Sequence, residues 1–145
     1  MNIDASVVLD AMPAFAEKLV SLIEPDDIIL LIGPLGAGKT TLVRAVAELL
    51  NADSEAASPT FTILNEYMVT FRGERMPLRH VDVYRLSGDD AFDSIGLRES
   101  IAIRGITFIE WGDTIRHILP PCVELTIDIV SMEERRMSLV IPERK

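Results

Sequence analysis

The sequence predicts an α/β fold: one domain, residues 1–145, on a central, mostly parallel sheet flanked by helices, with an antiparallel hairpin at its C-terminal end. Three observations predict it. The run Ile28-Ile29-Leu30-Leu31-Ile32 is apolar on both faces, as a strand is when helices cover both sides of a parallel sheet. It passes through a glycine-rich turn straight into residues 41–50, where Leu42, Val43, Val46, Leu49 and Leu50 recur at helical spacing. Strand-like and helix-like segments then alternate, and 145 residues can bury one continuous core with no room for a second domain.

Taken in order, residues 3–8 read as a short edge segment. Residues 10–23 carry Met12, Phe15, Leu19, Leu22 and Ile23 on one helical stripe, and Pro25-Asp26-Asp27 ends that helix. The strand 28–32 and the helix 41–50 follow, with Asn51 as a plausible stop. A loop at 53–59 leads to a strand-like stretch at 60–67, Gly73 marks a turn, and 78–84 reads as the next strand. On it, His80, Asp82 and Tyr84 share one face, with Val81 and Val83 on the other. A short helix is expected at 89–95, stopped by Gly96, then a compact buried strand at 106–109 ending in Glu110-Trp111. A helical piece at 114–119 is closed by Pro120-Pro121, and residues 123–130 and 136–141 form a hairpin around 131–135.

The balance of charge excludes some functions. The formal net charge is −9, whereas a protein that grips nucleic acid unaided presents a basic face to neutralise phosphates. Arg72, Arg75 and Arg79 surround the Gly73 turn and read as solvated loop arginines, with an RNA or partner contact the minority reading. No apolar run is long enough to span a bilayer and no basic-then-apolar leader opens the chain, so no membrane association is expected. A lone Cys122 precludes an internal disulfide and suits a reducing cytoplasm; it reads as a small buried hydrophobe near a strand start.

The turn itself carries the chemistry. Gly33-Pro34-Leu35-Gly36-Ala37-Gly38-Lys39-Thr40 matches G-x-x-x-x-G-K-[ST], between a buried strand and a helix. Glycines in such a P-loop (Walker A) turn let backbone amides face a polyphosphate, and the helix start adds unsatisfied donors at its positive end. Leu35, Gly36, Ala37, Gly38, Lys39, Thr40 and Thr41 are therefore the candidate nucleotide-binding residues, with Lys39 reaching the β/γ-phosphates and the Thr40 hydroxyl a Mg²⁺ ligand. The domain is thus P-loop NTPase-like.

Hydrolysis needs an acid for the metal and a group that orients water, and such groups sit at the carboxyl ends of neighbouring strands. Glu110 closes the apolar run 106–109, the strand-then-acid pattern of a metal-linked position, and Asp82 sits late in its own strand. Which of the two orients the water stays open. Thr60, in Ser58-Pro59-Thr60, occupies the loop after the phosphate-binding helix where hydrolases place a threonine that senses the γ-phosphate. Trp111, directly after Glu110, either packs in the core or covers the site. His80 and His117 have no metal-ligand spacing and no adjacent nucleophile, and read as structural.

Together these stretches resemble the TsaE (YjeE) family, P-loop ATPases of bacterial tRNA threonylcarbamoyladenosine biosynthesis. The resemblance rests on residues 33–41, on Ser58-Pro-Thr-Phe-Thr-Ile-Leu-Asn-Glu-Tyr67, on His80-Val-Asp-Val-Tyr-Arg-Leu86 and on Ile109-Glu-Trp-Gly112, in that order. Pro34 departs from the acidic residue found there in many members and leaves the glycines and lysine intact. The resemblance implies a cytoplasmic, Mg²⁺-dependent ATPase, weak alone, that drives or resets a transferase assembly with TsaB and TsaD proteins and meets tRNA only through them. Carried over by position, Thr40 and Glu110 attend Mg²⁺, Thr60 and Asp82 report on or assist γ-phosphate cleavage, and Trp111 belongs to the site or its rim.

Two rivals use the same loop: a small-molecule kinase, which needs an arginine-bearing lid for which Arg98 and Arg104 are available, and a nucleotide-binding interaction module with negligible turnover. A guanine-nucleotide switch is disfavoured, since N-K-x-D is absent from the sequence.

Overall fold

The computed structural model describes residues 2–53, 64–83, 97–111 and 116–143. Among them one seven-stranded sheet runs through the molecule in the order β1-β7-β6-β2-β5-β4-β3. The strands are β1 (Asn2–Val8), β2 (Ile28–Ile32), β3 (Leu64–Phe71), β4 (Glu74–Asp82), β5 (Ile106–Glu110), β6 (Val123–Ile129) and β7 (Glu134–Val140). The helices are α1 (Met12–Leu22), entered through a 3-10 turn at Leu9–Ala11, α2 (Lys39–Leu49) and the short α3 (Leu97–Ile101).

The sheet is parallel only in its middle. β6, β2, β5 and β4 run parallel to one another, whereas β1 and β7 on one side and β3 on the other pair antiparallel. The expectation of a mostly parallel sheet is corrected to an even split, three pairings of each kind. The cause lies at Arg72-Gly73, whose φ values of 52° and 80° make a two-residue turn of the kind that closes tight hairpins. β3 therefore folds back on β4; it runs on to Phe71, past the expected end at 67, and β4 starts at Glu74 rather than at 78. The C-terminal hairpin forms as expected, except that residues 134 and 135 lie inside β7 rather than in the turn.

β2 and β5 show why the middle is parallel. All five residues of β5 are buried, as are four of the five in β2, so both faces need a cover. On one face α1 and α2 supply it: Met12, Phe15, Ala16 and Leu19 meet Leu42, Val43 and Val46 over Ile29, Leu31, Phe108 and Leu125. The other face packs Ile28, Leu30, Val81, Val83 and Ile109 against Ile101, Ile118 and Leu119. Pro13 starts α1, where a missing N–H costs nothing.

The arginine group near Gly73 divides. Arg72 and Arg75 are exposed, Arg72 donating to the Ile23 carbonyl at the end of α1 (2.8 Å) and Arg75 to Thr70 Oγ1 (3.4 Å). Arg79 is no loop residue: it lies in β4, 1% exposed, donating to Ile103 O (2.7 Å) and Thr107 Oγ1 (3.3 Å). Burial pushes its guanidinium below the usual arginine range, opposed by the charge of Glu66. Cys122 precedes β6 as expected, half-buried, its Sγ donating to Pro120 O (3.1 Å). The helix expected at 89–95 lies outside the described residues, and the described helix nearby is α3. No helix among the described residues is long and apolar enough to cross a membrane.

Candidate functional site

The glycine loop leaves the carboxyl end of β2 in the middle of the sheet. At its first residue a Cβ would stand 2.4 Å from the Ile127 carbonyl oxygen, so only glycine lets β2 leave so close to β6. At its far end Gly38 caps α2 with φ 106°, a left-handed conformation that an L side chain would strain. Between them Ala37 N–H closes a turn onto Pro34 O (3.2 Å), with Leu35 exposed at the tip.

Lys39 opens α2 and is 4% exposed. Its Nζ donates to Gly33 O (2.7 Å) and lies 3.7 Å from the centre of the Trp111 ring. Trp111 adopts φ 62°, a costly conformation for a bulky aromatic residue and the kind of strain that collects at functional sites. Of the two places the sequence left open for Trp111, core or site, the geometry sets its indole face against the Lys39 ammonium.

Across the loop stands Glu110, the last residue of β5 and 5% exposed. Strand alternation puts it on the same face as Phe108, toward α2. Thr40 Oγ1 donates to its Oε2 (3.3 Å), and His80 Nε2 hydrogen-bonds the same oxygen. His80 was expected to be merely structural; the structure brings it onto the acid instead, 2% exposed. His80 and Asp82 share a face of β4, and β4 lies beside β5 with Asp82 in register with Glu110. Asp82 is therefore brought to Glu110 as well. Thr60 lies outside the described residues.

Two oxygen donors 3.3 Å apart suit a hard divalent cation, since adjacent ligands around Mg²⁺ lie about 3 Å apart. Among the described residues no group of three or more His, Cys, Asp or Glu side chains could hold a metal alone. Such a cation fits if phosphate oxygens complete its shell, as is usual for Mg²⁺. The residues present therefore fit a nucleotide–metal pair.

A residue outside the loop motif completes the loop. Arg135 of β7 is 5% exposed and donates from Nε to Ala37 O (3.0 Å) and from Nη2 to Gly36 O (3.1 Å). Its Nη1 serves the β6–β7 turn at Ser131 O (2.7 Å), Glu134 O (3.1 Å) and Met132 O (3.4 Å). The alternation Arg135, Met137, Leu139 inward against Arg136 and Val140 outward marks it as an inward residue.

The chain matches, over residues 8–138, the family model described as "Threonylcarbamoyl adenosine biosynthesis protein TsaE". Among similar proteins named tRNA threonylcarbamoyladenosine biosynthesis protein TsaE, that of Treponema pallidum (strain Nichols) is 39% identical over 108 residues, covering 74% of this chain and 74% of its own length. That of Bacillus subtilis (strain 168) is 38% identical over 107 residues, covering 74% and 64% respectively. That of Rickettsia felis is 32% identical over 128 residues, covering 86% and 71%. The crystal structure of Bacillus subtilis YdiB superposes with a TM-score of 0.73 at 29% identity, covering 96% of this chain and 84% of that one.

Proposed function

The chain belongs to the TsaE family, and on that premise we propose that it is a Mg²⁺-dependent ATP-binding and hydrolysing subunit of the system that makes tRNA threonylcarbamoyladenosine. One observation carries the reading: Lys39 and Thr40 at the end of the glycine loop meet Glu110, distant in sequence, at the mouth of the parallel strands. In this reading the domain is P-loop NTPase-like. The loop amides and Lys39 hold the phosphates, and Thr40 and Glu110 hold Mg²⁺, which neutralises charge on the transferred phosphoryl group. His80 keeps the Glu110 carboxylate in place, the role outer partners play around metal ligands. Asp82 beside it, with Thr60, serves γ-phosphate cleavage, and Trp111 flanks Lys39.

Partner proteins of the TsaB and TsaD kind complete the activity in this proposal. A net charge of −9 leaves the grip on tRNA to them. The kinase rival loses one of its lid arginines: Arg104 pairs with Glu74 and Asp26, at the amino end of the parallel strands away from the loop. Calorimetric titration with ATP and Mg²⁺, then phosphate release with and without TsaB and TsaD proteins, tests the reading. Saturable binding and partner-stimulated release are expected. No binding at millimolar ATP refutes it, and binding without any release under either condition favours the interaction module. Tight binding of tRNA by the isolated chain at physiological salt contradicts the division of labour.

A further inference from the structure

We propose that Arg135 is the positioning residue of the phosphate loop: by holding two loop carbonyls from behind, it aims the Gly38 amide at the bound phosphates. The inference rests on the nucleotide reading above and assigns a role to a residue outside the loop motif.

The argument is one of peptide geometry. In a planar trans peptide the carbonyl and the following N–H point in opposite directions. Arg135 Nε draws the Ala37 carbonyl toward itself at 3.0 Å, so the N–H of Gly38, on the same peptide, faces away from the guanidinium. Gly38 caps α2, and that N–H joins the unsatisfied donors that open the helix. The neighbouring bond, Nη2 to Gly36 O at 3.1 Å, likewise turns the Ala37 N–H away from the guanidinium, where it closes the turn onto Pro34 O. One planar fork thus fixes two successive peptides. A glycine-rich backbone would otherwise sample both orientations of each.

The anchor behind the fork is itself held. Nη1 takes three carbonyls of the β6–β7 turn, and the Glu133 carbonyl accepts from Leu9 N–H (2.8 Å) at the entry to α1. Within the turn, Ser131 Oγ accepts from Glu134 N–H (3.1 Å). A guanidinium suits this place because it offers five donors in a rigid plane and stays charged when buried. Lysine has three donors on a flexible stem and cannot span both loop carbonyls and the turn in the same way.

The test uses the whole chain, ADP in the presence of EDTA, and the variants Arg135→Met and Arg135→Lys. Metal-free ADP reads the loop without the metal that Thr40 and Glu110 would hold. We expect wild type to bind, Arg135→Met to bind about tenfold more weakly or worse, and Arg135→Lys to fall between. In ¹H–¹⁵N spectra the Gly38 amide resonance should move on ADP addition in wild type and move much less in Arg135→Met. Variants that bind ADP within twofold of wild type, with the Gly38 displacement intact, overturn the inference. So does a loss of melting temperature with that displacement preserved, which marks Arg135 as a plain packing residue. Should Arg135→Met not fold, Arg135→Lys decides by the same two readouts. A wild-type protein that ignores ADP refutes the nucleotide reading before any variant is made, and the inference falls with it.

Discussion

The two ends of the parallel strands are both tied by arginine, yet they are tied for different ends. At the carboxyl end Arg135 is buried and spreads its donors over loop and turn, and the groups beside that loop (Lys39, Thr40, Glu110) are those of the proposed nucleotide site. At the amino end Arg79 is equally buried, but among the described residues its Nε has no hydrogen-bond partner, only Glu66 at 3.9 Å. Nearby, Arg104 closes the surface by pairing with Glu74 (2.6 Å) and Asp26 (3.3 Å). The difference teaches that burial of a charge does not mark function. What marks it is whether the charge orders other polar groups toward an open side.

Mutations at the two ends should therefore read out differently. The largest effect is expected at Lys39: replacement by alanine should lower ATP turnover by about 10²–10³-fold, measured by phosphate release, with the melting temperature little changed. Full activity in that variant erases the contrast. Next comes Cys122, at the amino end just before β6, whose thiol burial pushes up to about 11. A raised thiol pKa keeps the group neutral up to high pH, so alkylation by iodoacetamide at pH 8 should run on the order of a hundredfold slower than a free thiol and accelerate as pH rises toward that value. Fast labelling at pH 8 would show that end to be open.

His80→Leu should weaken Mg²⁺ about tenfold in a titration of activity against metal, with metal-free ADP affinity unchanged, and His80→Gln should recover part of it. An equal loss of ADP affinity would mean that the histidine merely supports the fold. Arg79→Ala should leave nucleotide binding intact and destabilise by about 2 kcal/mol in urea unfolding, by stranding the Ile103 carbonyl and Thr107 hydroxyl. The smallest effect belongs to Glu74, whose carboxyl the Arg104 hydrogen bond holds below its usual range. A lowered carboxyl contributes stability above its unfolded pKa and loses it as pH falls through the folded one. Because the pair is exposed, Glu74→Gln at pH 7 should move the melting temperature by no more than about 2 °C.

Much of the site was legible because its parts are local or periodic. The loop is eight consecutive residues, and Glu110 ends a run too apolar to be anything but a buried strand. The hairpin β6–β7 shows in its alternation. What escaped depends on neighbours that sequence order does not reveal. His80 becomes meaningful only once β4 lies beside β5, a pairing of strands separated by α3 and the segment before it. Arg135 reaches carbonyls about a hundred residues earlier, and backbone acceptors carry no side-chain signature. Arg79 misled for the opposite reason: three arginines close in sequence read as one surface cluster, whereas the pleat of β4 turns this one inward.

The indole of Trp111 has a practical consequence. It is the only tryptophan in the chain, and it rests against the ammonium of Lys39. Any ligand that draws that ammonium away alters the electric field at a single fluorophore. The unlabelled protein thus carries its own optical gauge of occupancy, readable in a stopped-flow cuvette at the speed of the event.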